Sequence, residues 1–316
     1  MERFTILGSA YAIPNPNQDN ANLLVETSKR VVMIDCGNHP VVKLAKAGLE
    51  INAVTDLVIT HFHSDHVGSL PLLLMDMWLK KRQTPLRIYG LEYTIERMRA
   101  LMDLFDWQKW TDMFPVEFVR LSDSVETSLF TDDCLRMFSM PVKHLIPNVG
   151  LRMEFPARRY SIAYSSDTEP CDNVISLARH ADVLIQESAG DAKGHTSPAK
   201  AGELAAEAGV KRLVMIHYDP NGDWIAFSDL GASSKIDSFK ARTASENLST
   251  TTFPGWQALA KANDDGQTIV WYLAGTTSTW KATPLAMVVV LENASPQATQ
   301  AIGQQMFYTA VTPFGN

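Results

Sequence analysis

Three of the chain's eight histidines fall within six residues, His61-Phe62-His63-Ser64-Asp65-His66, with a carboxylate between them. Imidazole nitrogen and carboxylate oxygen are the donors that borderline divalent cations such as zinc select. So dense a set on one turn suits two neighbouring ions, with His61 and His63 directed to one and Asp65 and His66 to the other. The alternative is a polar loop that happens to be histidine-rich. It would require titratable groups to be buried with no ligand to compensate them, which is costly.

Two ions need more donors than one loop supplies. His144 follows a strand pattern, Pro141-Val142-Lys143, and His217 ends the apolar run Leu213-Val214-Met215-Ile216. Asp167 follows another strand pattern, in Tyr164-Ser165-Ser166-Asp167-Thr168, where one carboxylate can bridge two cations. Taken singly, each also fits an ordinary role, a hydrogen-bonded histidine or a turn carboxylate. Glu187 closes the strand Val183-Leu184-Ile185-Gln186, and His195 stands just before a helix opened by Ser197-Pro198. If both abut one cleft, the carboxylate would orient and charge the imidazole, making a general acid for a departing alkoxide. Spacing alone fits a surface glutamate and a loop histidine equally well. His180 ends a helical segment, where an imidazolium suits the helix dipole. His39 lies in a loop after Asp35-Cys36-Gly37 and could line the cleft.

The elements that must position these groups alternate along the chain. Strands are expected at 4–7, 22–27, 31–35, 56–60, 86–89, 116–120, 134–142, 149–155, 160–164, 182–186 and 212–216. Helices are expected at 40–48, about 68–81, 92–105, 171–179 and 198–208. Strands followed by helices, in two mixed halves, predict paired sheets with helices on both outer faces. Residues 243–252 are polar and linker-like. Beyond them two strand patterns, 267–274 and 285–291, and a helix over 296–309 form a ββα extension to a domain expected over 1–242. That extension, 243–316, receives no role from its sequence.

Composition sets outer bounds. With 316 residues, 46% hydrophobic and 20% charged, the chain is ordinary globular material with room for a large core. A formal charge of −7 argues against nonspecific nucleic-acid binding by the whole surface. No apolar run of about 18 residues suggests a membrane span, and the first residues read as a strand instead of a secretion signal. Cys36, Cys134 and Cys171 are too widely spaced for a disulfide framework or a zinc knuckle. A cytoplasmic protein is expected.

Over roughly residues 3–220 these features resemble the metallo-β-lactamase superfamily, and within it the ribonuclease Z-like phosphodiesterase branch. The carrying segments are Ile6 to Pro14 with Asn20 and Asn22, Asp35-Cys36-Gly37, the histidine hexapeptide, His144 to Gly150, Ser165 to Cys171, Glu187 with His195-Thr196-Ser197, and His217. The resemblance implies an αββα sandwich with a dinuclear site, holding zinc or else manganese or iron. One ion would take His61, His63, His144 and Asp167, the other Asp65, His66, Asp167 and His217. Asp65 would hold the nucleophilic water, and the Glu187–His195 pair would protonate the leaving group. Enzymes of this branch are often homodimers.

One departure bears on substrate. Ribonuclease Z enzymes commonly carry a long arm that grips the tRNA elbow, in bacterial forms between the third histidine segment and the bridging aspartate. Here 22 residues lie between His144 and Asp167, enough for a hairpin and no arm. The expectation is therefore a phosphodiesterase acting on small or nucleotide diesters, with RNA disfavoured. Sulfate ester, lactone or β-lactam hydrolysis, and tRNA 3′-end cleavage, are the alternative activities of the same metal site. A noncatalytic module that keeps metal for folding is a third class.

Overall fold

The computed structural model describes residues 2–16, 18–220, 255–264, 267–276, 286–292 and 295–311. The chain forms two compact units, Met1–Gly222 and Asp223–Asn316. The expected boundary at 242/243 and the linker-like stretch 243–252 lie outside the described residues.

The first unit opens with strands β1 (Arg3–Gly8), β2 (Asn22–Glu26) and β3 (Val31–Ile34), then helix α1 (Pro40–Lys46). Next come β4 (Asp56–Val58), a single turn α2 (Ser64–Val67), α3 (Leu70–Leu79), β5 (Leu86–Leu91), α4 (Glu92–Asp103) and β6 (Val116–Leu121). Strands β7 (Thr127–Thr131), β8 (Arg136–Val142), β9 (Asn148–Phe155) and β10 (Tyr160–Tyr164) precede α5 (Asp172–Ala178). Strand β11 (Val183–Glu187), α6 (Pro198–Ala208) and β12 (Leu213–Ile216) complete it. The strands make two six-stranded sheets, ordered β1-β2-β3-β4-β5-β6 and β12-β11-β10-β9-β8-β7.

The period-2 alternation of side chains explains the layering. Leu23, Val25, Val32, Ile34 and Val58 face Met137, Val149, Leu151, Ile162 and Ile185 in a core between the sheets. The intervening Leu24, Met33 and Leu57 turn outward against Leu44 of α1, Leu73 and Met77 of α3, and Met98 of α4. On the far side Ala163 and Leu184 turn outward against α5 and α6 through Val174, Ala178, Leu204 and Ala208. The result is the expected four-layer αββα sandwich.

The elements differ from expectation where pattern is weak. Strand β7 was not foreseen: it is short, polar and at a sheet edge, with Phe130 as its one buried residue. The strand expected from 134 starts at Arg136, because the Asp132 carboxylate accepts the Cys134 and Leu135 N–H groups in an Asx turn. Between β9 and β10 the chain needs only a turn of 3-10 helix, Pro156–Arg158, so a plain hairpin stands where an arm would be inserted.

The second unit holds a three-stranded antiparallel sheet, β13 (Gly255–Asp264), β14 (Gln267–Thr276) and β15 (Ala286–Glu292), with helix α7 (Pro296–Val311). Strand β13 adds to the expected ββα. Its small residues hide the alternation. Phe307 of α7 packs with Tyr272 and Val289, and Gly303 lies so close to the Tyr272 ring that a Cβ would sit 2.0 Å from it. Among the described residues no helix is long and apolar enough to cross a membrane.

A buried charge fastens the first unit at the strand starts. The fully buried Asp56 carboxylate accepts from Arg30 Nη1 at 3.1 Å, Thr55 Oγ1 at 2.6 Å and Tyr89 Oη at 3.3 Å. Arg30 also reaches Asp132 and lies over the Phe130 ring, linking the two sheets. Removing one partner of such a pair strands the other. Asp56→Ala should cost about 3 kcal/mol in denaturant unfolding, from the buried Tyr89 phenol left unpaired and the Arg30 guanidinium left with Asp132 alone of its two carboxylate partners.

Candidate metal and catalytic site

Strands β3 to β6 run parallel, as do β10 to β12, and β8 runs with them because β9 opposes both neighbours. Every sequence-predicted site residue follows the C-terminal end of one of these strands, the usual ligand-binding edge of an open α/β sheet. His61, His63, Asp65 and His66 follow β4, His144 follows β8, Asp167 follows β10, Glu187 ends β11 with His195 beyond it, and His217 follows β12.

The structure brings all nine together. His61, His63, His144 and Asp167 offer donor atoms within 4.8 Å of one another, and so do Asp65, His66, Asp167 and His217. A third set, Glu187, His195 and His217, adjoins them. His61 Nε2 and His144 Nε2 each lie 3.1 Å from His63 Nδ1, and His61 Nε2 lies 3.7 Å from Asp167 Oδ2. In the second set His66 Nε2 lies 3.4 Å from Asp65 and Asp167, and His217 Nε2 lies 3.4 and 3.2 Å from them. Donors held 2.0–2.1 Å from a tetrahedral zinc stand about 3.3 Å apart, and these spacings bracket that edge.

The outward hydrogen bonds fit the same assignment. His66 Nδ1 donates to Asp35 Oδ2 at 2.8 Å, and His144 Nδ1 to the Gly194 carbonyl at 2.6 Å, which leaves their Nε2 lone pairs facing inward. His61 Nδ1 meets Thr60 Oγ1, which itself donates to Asp35. His66 Nε2 and Asp167 Oδ1 are buried without a protein hydrogen-bond partner. Lone pairs aimed at one another repel unless a cation sits among them, so the donor set fits divalent metal.

Burial pushes the His61, His63 and His144 imidazoles below their ordinary value, toward the neutral form a metal needs. Burial acts likewise on His66, but the Asp167 and Asp35 carboxylates outweigh it and raise that ring. Burial would raise Asp65 and Asp167. It is overcome by His217 and His66, which hold both carboxylates well below their usual range. Cation and proton therefore compete for the second donor set.

Beside the clusters, His195 Nδ1 lies 3.2 Å from Glu187 Oε1. Glu187 is fully buried and also accepts the Thr196 and Ala189 N–H groups, both at 2.8 Å. Donating its Nδ1–H to the Glu187 carboxylate raises the His195 imidazole above its ordinary value, against the effect of burial. The His195 ring stacks on His217 at 5.6 Å and meets His144 at 5.2 Å. His39 and His180 are exposed and join none of the donor sets.

A family model for the anti-Pycsar protein Apyc1 matches residues 2–235. The chain belongs to the Apyc1 family. The chain is also similar to the ribonuclease Z of Methanothermobacter thermautotrophicus, 25% identical over 272 residues, which cover 69% of this chain and 86% of that one. Among solved structures it resembles the short form of human tRNase Z, with a TM-score of 0.59 at 24% identity over 69% of this chain and 93% of that one. It also resembles the metallo-β-lactamase fold protein YhfI of Bacillus subtilis, with a TM-score of 0.58 at 21% identity over 70% and 87%. This Apyc1-family chain is thus a metallo-β-lactamase-fold, metal-dependent hydrolase of the ribonuclease Z-like phosphodiesterase kind.

In the sequence Asp35 reads only as a strand end. It sits at φ +63°, fully buried, and accepts from the Thr60 N–H at 2.8 Å as well as from Thr60 Oγ1 and His66. The signal was available: an acid closing a buried strand, as at Glu187. Gly37, two residues on, lies so close to Asp65 that a Cβ would meet the Asp65 carbonyl at 1.7 Å. Asp35→Ala should lower bound metal per chain, measured by elemental analysis after dialysis, by about 10-fold in affinity. Gly37→Ala should displace Asp65 and cut both metal content and turnover while costing about 1–3 kcal/mol of stability.

Proposed function

We propose that this protein hydrolyses small phosphodiesters, nucleotides among them, with two zinc ions held by His61, His63, His144 and Asp167 and by Asp65, His66, Asp167 and His217. When bound, the metals supply an activated water and charge stabilisation at phosphorus. Asp65 orients that water. His195, kept protonated by Glu187, delivers a proton to the leaving oxygen.

The observation that carries this reading is the Glu187–His195 pair beside the donor sets. A sugar alkoxide is a poor leaving group and needs an acid, whereas a strained lactone or β-lactam ring does not. The short β9–β10 hairpin and the −7 charge favour a small substrate over a tRNA precursor. A cytoplasmic location belongs to the reading, supported by three free thiols. So does a homodimer, carried over from the resemblance and checked by light scattering.

The test is turnover, with metal assayed in parallel, on bis(p-nitrophenyl) phosphate, 3′,5′-cyclic nucleotides, dinucleotides and a precursor tRNA with a 3′ trailer. Cleavage of the small diesters without the tRNA is expected, and accurate 3′ cleavage of the tRNA would overturn the small-substrate assignment. Chelation should remove activity and about two zinc ions per chain, with both restored on adding metal back.

The acid has its own signature. Because Glu187 raises His195, the protonated form persists above pH 6.5, and kcat should fall as pH rises through that raised value. Glu187→Gln removes the main cause and should move this alkaline limb to lower pH. His195→Ala should abolish the limb and lower kcat about 100-fold on sugar-leaving diesters. A His195→Ala protein with full activity and an unchanged profile would refute the role.

A further inference from the structure

The loop that carries His195 is pinned from outside the donor sets by Glu169. Glu169 follows Asp167 by two positions. Its own N–H donates to the Lys143 carbonyl at 2.7 Å, one residue before His144. The Thr168 side chain reinforces that bridge, accepting the Lys143 N–H at 3.1 Å. From this fixed base Glu169 Oε1 accepts the Gly194 N–H at 3.0 Å, while Oε2 meets Lys143 Nζ at 2.6 Å.

Gly194 is the residue before His195, and both its polar backbone groups are engaged. Its N–H is held by Glu169 and its carbonyl by His144 Nδ1 at 2.6 Å. It sits at φ +88°, and a Cβ there would stand 2.8 Å from Leu145 Cγ and 3.0 Å from His144 Nδ1. The backbone can approach this closely only as glycine. Ala189 and Thr196 bonded to Glu187, Thr196 Oγ1 to the Thr168 carbonyl at 2.5 Å, and the Gly190 N–H to the Thr196 carbonyl at 3.2 Å fix the loop's two flanks. On the N-terminal side of His195 the Glu169 bond to the Gly194 N–H stands beside the His144 bond to the Gly194 carbonyl and the His195 N–H bond to the Ala192 carbonyl.

We propose that Glu169 is a positioning residue for leaving-group protonation: by accepting the Gly194 N–H it fixes the residue that leads into His195. The inference rests on the general-acid reading of His195. Glu169 joins none of the donor sets. It acts by holding the acid within reach of the departing oxygen, and small misplacements of such groups are expensive in rate.

The experiment compares wild type, Glu169→Ala, Glu169→Gln and His195→Ala on two substrates: bis(p-nitrophenyl) phosphate, whose aryl leaving group needs little protonation, and the nucleotide diester that wild type cleaves best. Metal per chain and melting temperature accompany each. Glu169→Ala should lose about 10-fold in kcat on the nucleotide diester with KM unchanged, and less than about 2-fold on the aryl diester, with metal retained. Glu169→Gln keeps an oxygen acceptor for Gly194 and should stay within about 2-fold of wild type on both.

Equal losses on the two substrates, or loss of metal, would reduce Glu169 to a structural part and overturn the proposal. So would a Glu169→Gln protein as impaired as Glu169→Ala, or a Glu169→Ala protein indistinguishable from wild type. If Glu169→Ala melts early, Glu169→Leu, which keeps the stem and lacks the acceptor, is scored by the same criteria. His195→Ala separates the two layers of argument. If it loses the nucleotide diester selectively and Glu169→Ala does not, only the positioning role fails. If it shows no selectivity, the general-acid reading falls first.

Discussion

A single carboxylate, Asp35, bears on nearly everything at the metal end of the molecule. It is fully buried at the close of β3, in a backbone conformation that non-glycine residues rarely adopt. An isolated buried anion would be prohibitive. Here the Thr60 N–H, the Thr60 hydroxyl and the His66 ring satisfy it. Through Thr60 the same network reaches His61. One anion on one strand thus turns two imidazoles on the next strand's loop so that their lone pairs face the candidate metals. The neighbouring Gly37 allows that loop to close over it.

The second sheet solves the matching problem with loops. His144, Asp167, Glu187, His195 and His217 come from four different strand ends, and none is positioned by its own strand alone. His144 leans on the Gly194 carbonyl, Asn148 holds the Asp167 backbone through its carbonyl at 2.6 Å, and Glu187 gathers three N–H groups around the base of the acid loop. The electrostatics follow from this crowding. Burial favours neutral imidazoles in the first donor set, and carboxylates favour charged ones around Asp167 and Glu187.

What sequence made legible is what short-range pattern can carry. The apolar runs at 22–27 and 31–35 announced strands, and the alternation of strands and helices announced the layers. The histidine hexapeptide and the acids or histidines closing apolar runs announced the site. Strand β7 stayed hidden because an edge strand with one buried residue has no alternation to read, and β13 because small residues blur it. The tasks of Asp35, Gly37, Glu169 and Gly194 were hidden for another reason. They arise from contacts made by residues 25 to 31 positions apart, or from a Cβ that would collide with a distant carbonyl.

The two candidate donor sets draw on both sheets at once: the hexapeptide belongs to the first sheet, and His144, Asp167 and His217 to the second. On the proposed ligand assignment, each ion is a rivet through the seam of the sandwich. Stripped of its ions, this edge would lose the cations that tie the two sheets' loops together, and would be expected to open more readily. Cellular proteases act on just such openings. The abundance of the protein would then follow the supply of metal in its surroundings, a second layer of control laid over its chemistry by the same seven side chains.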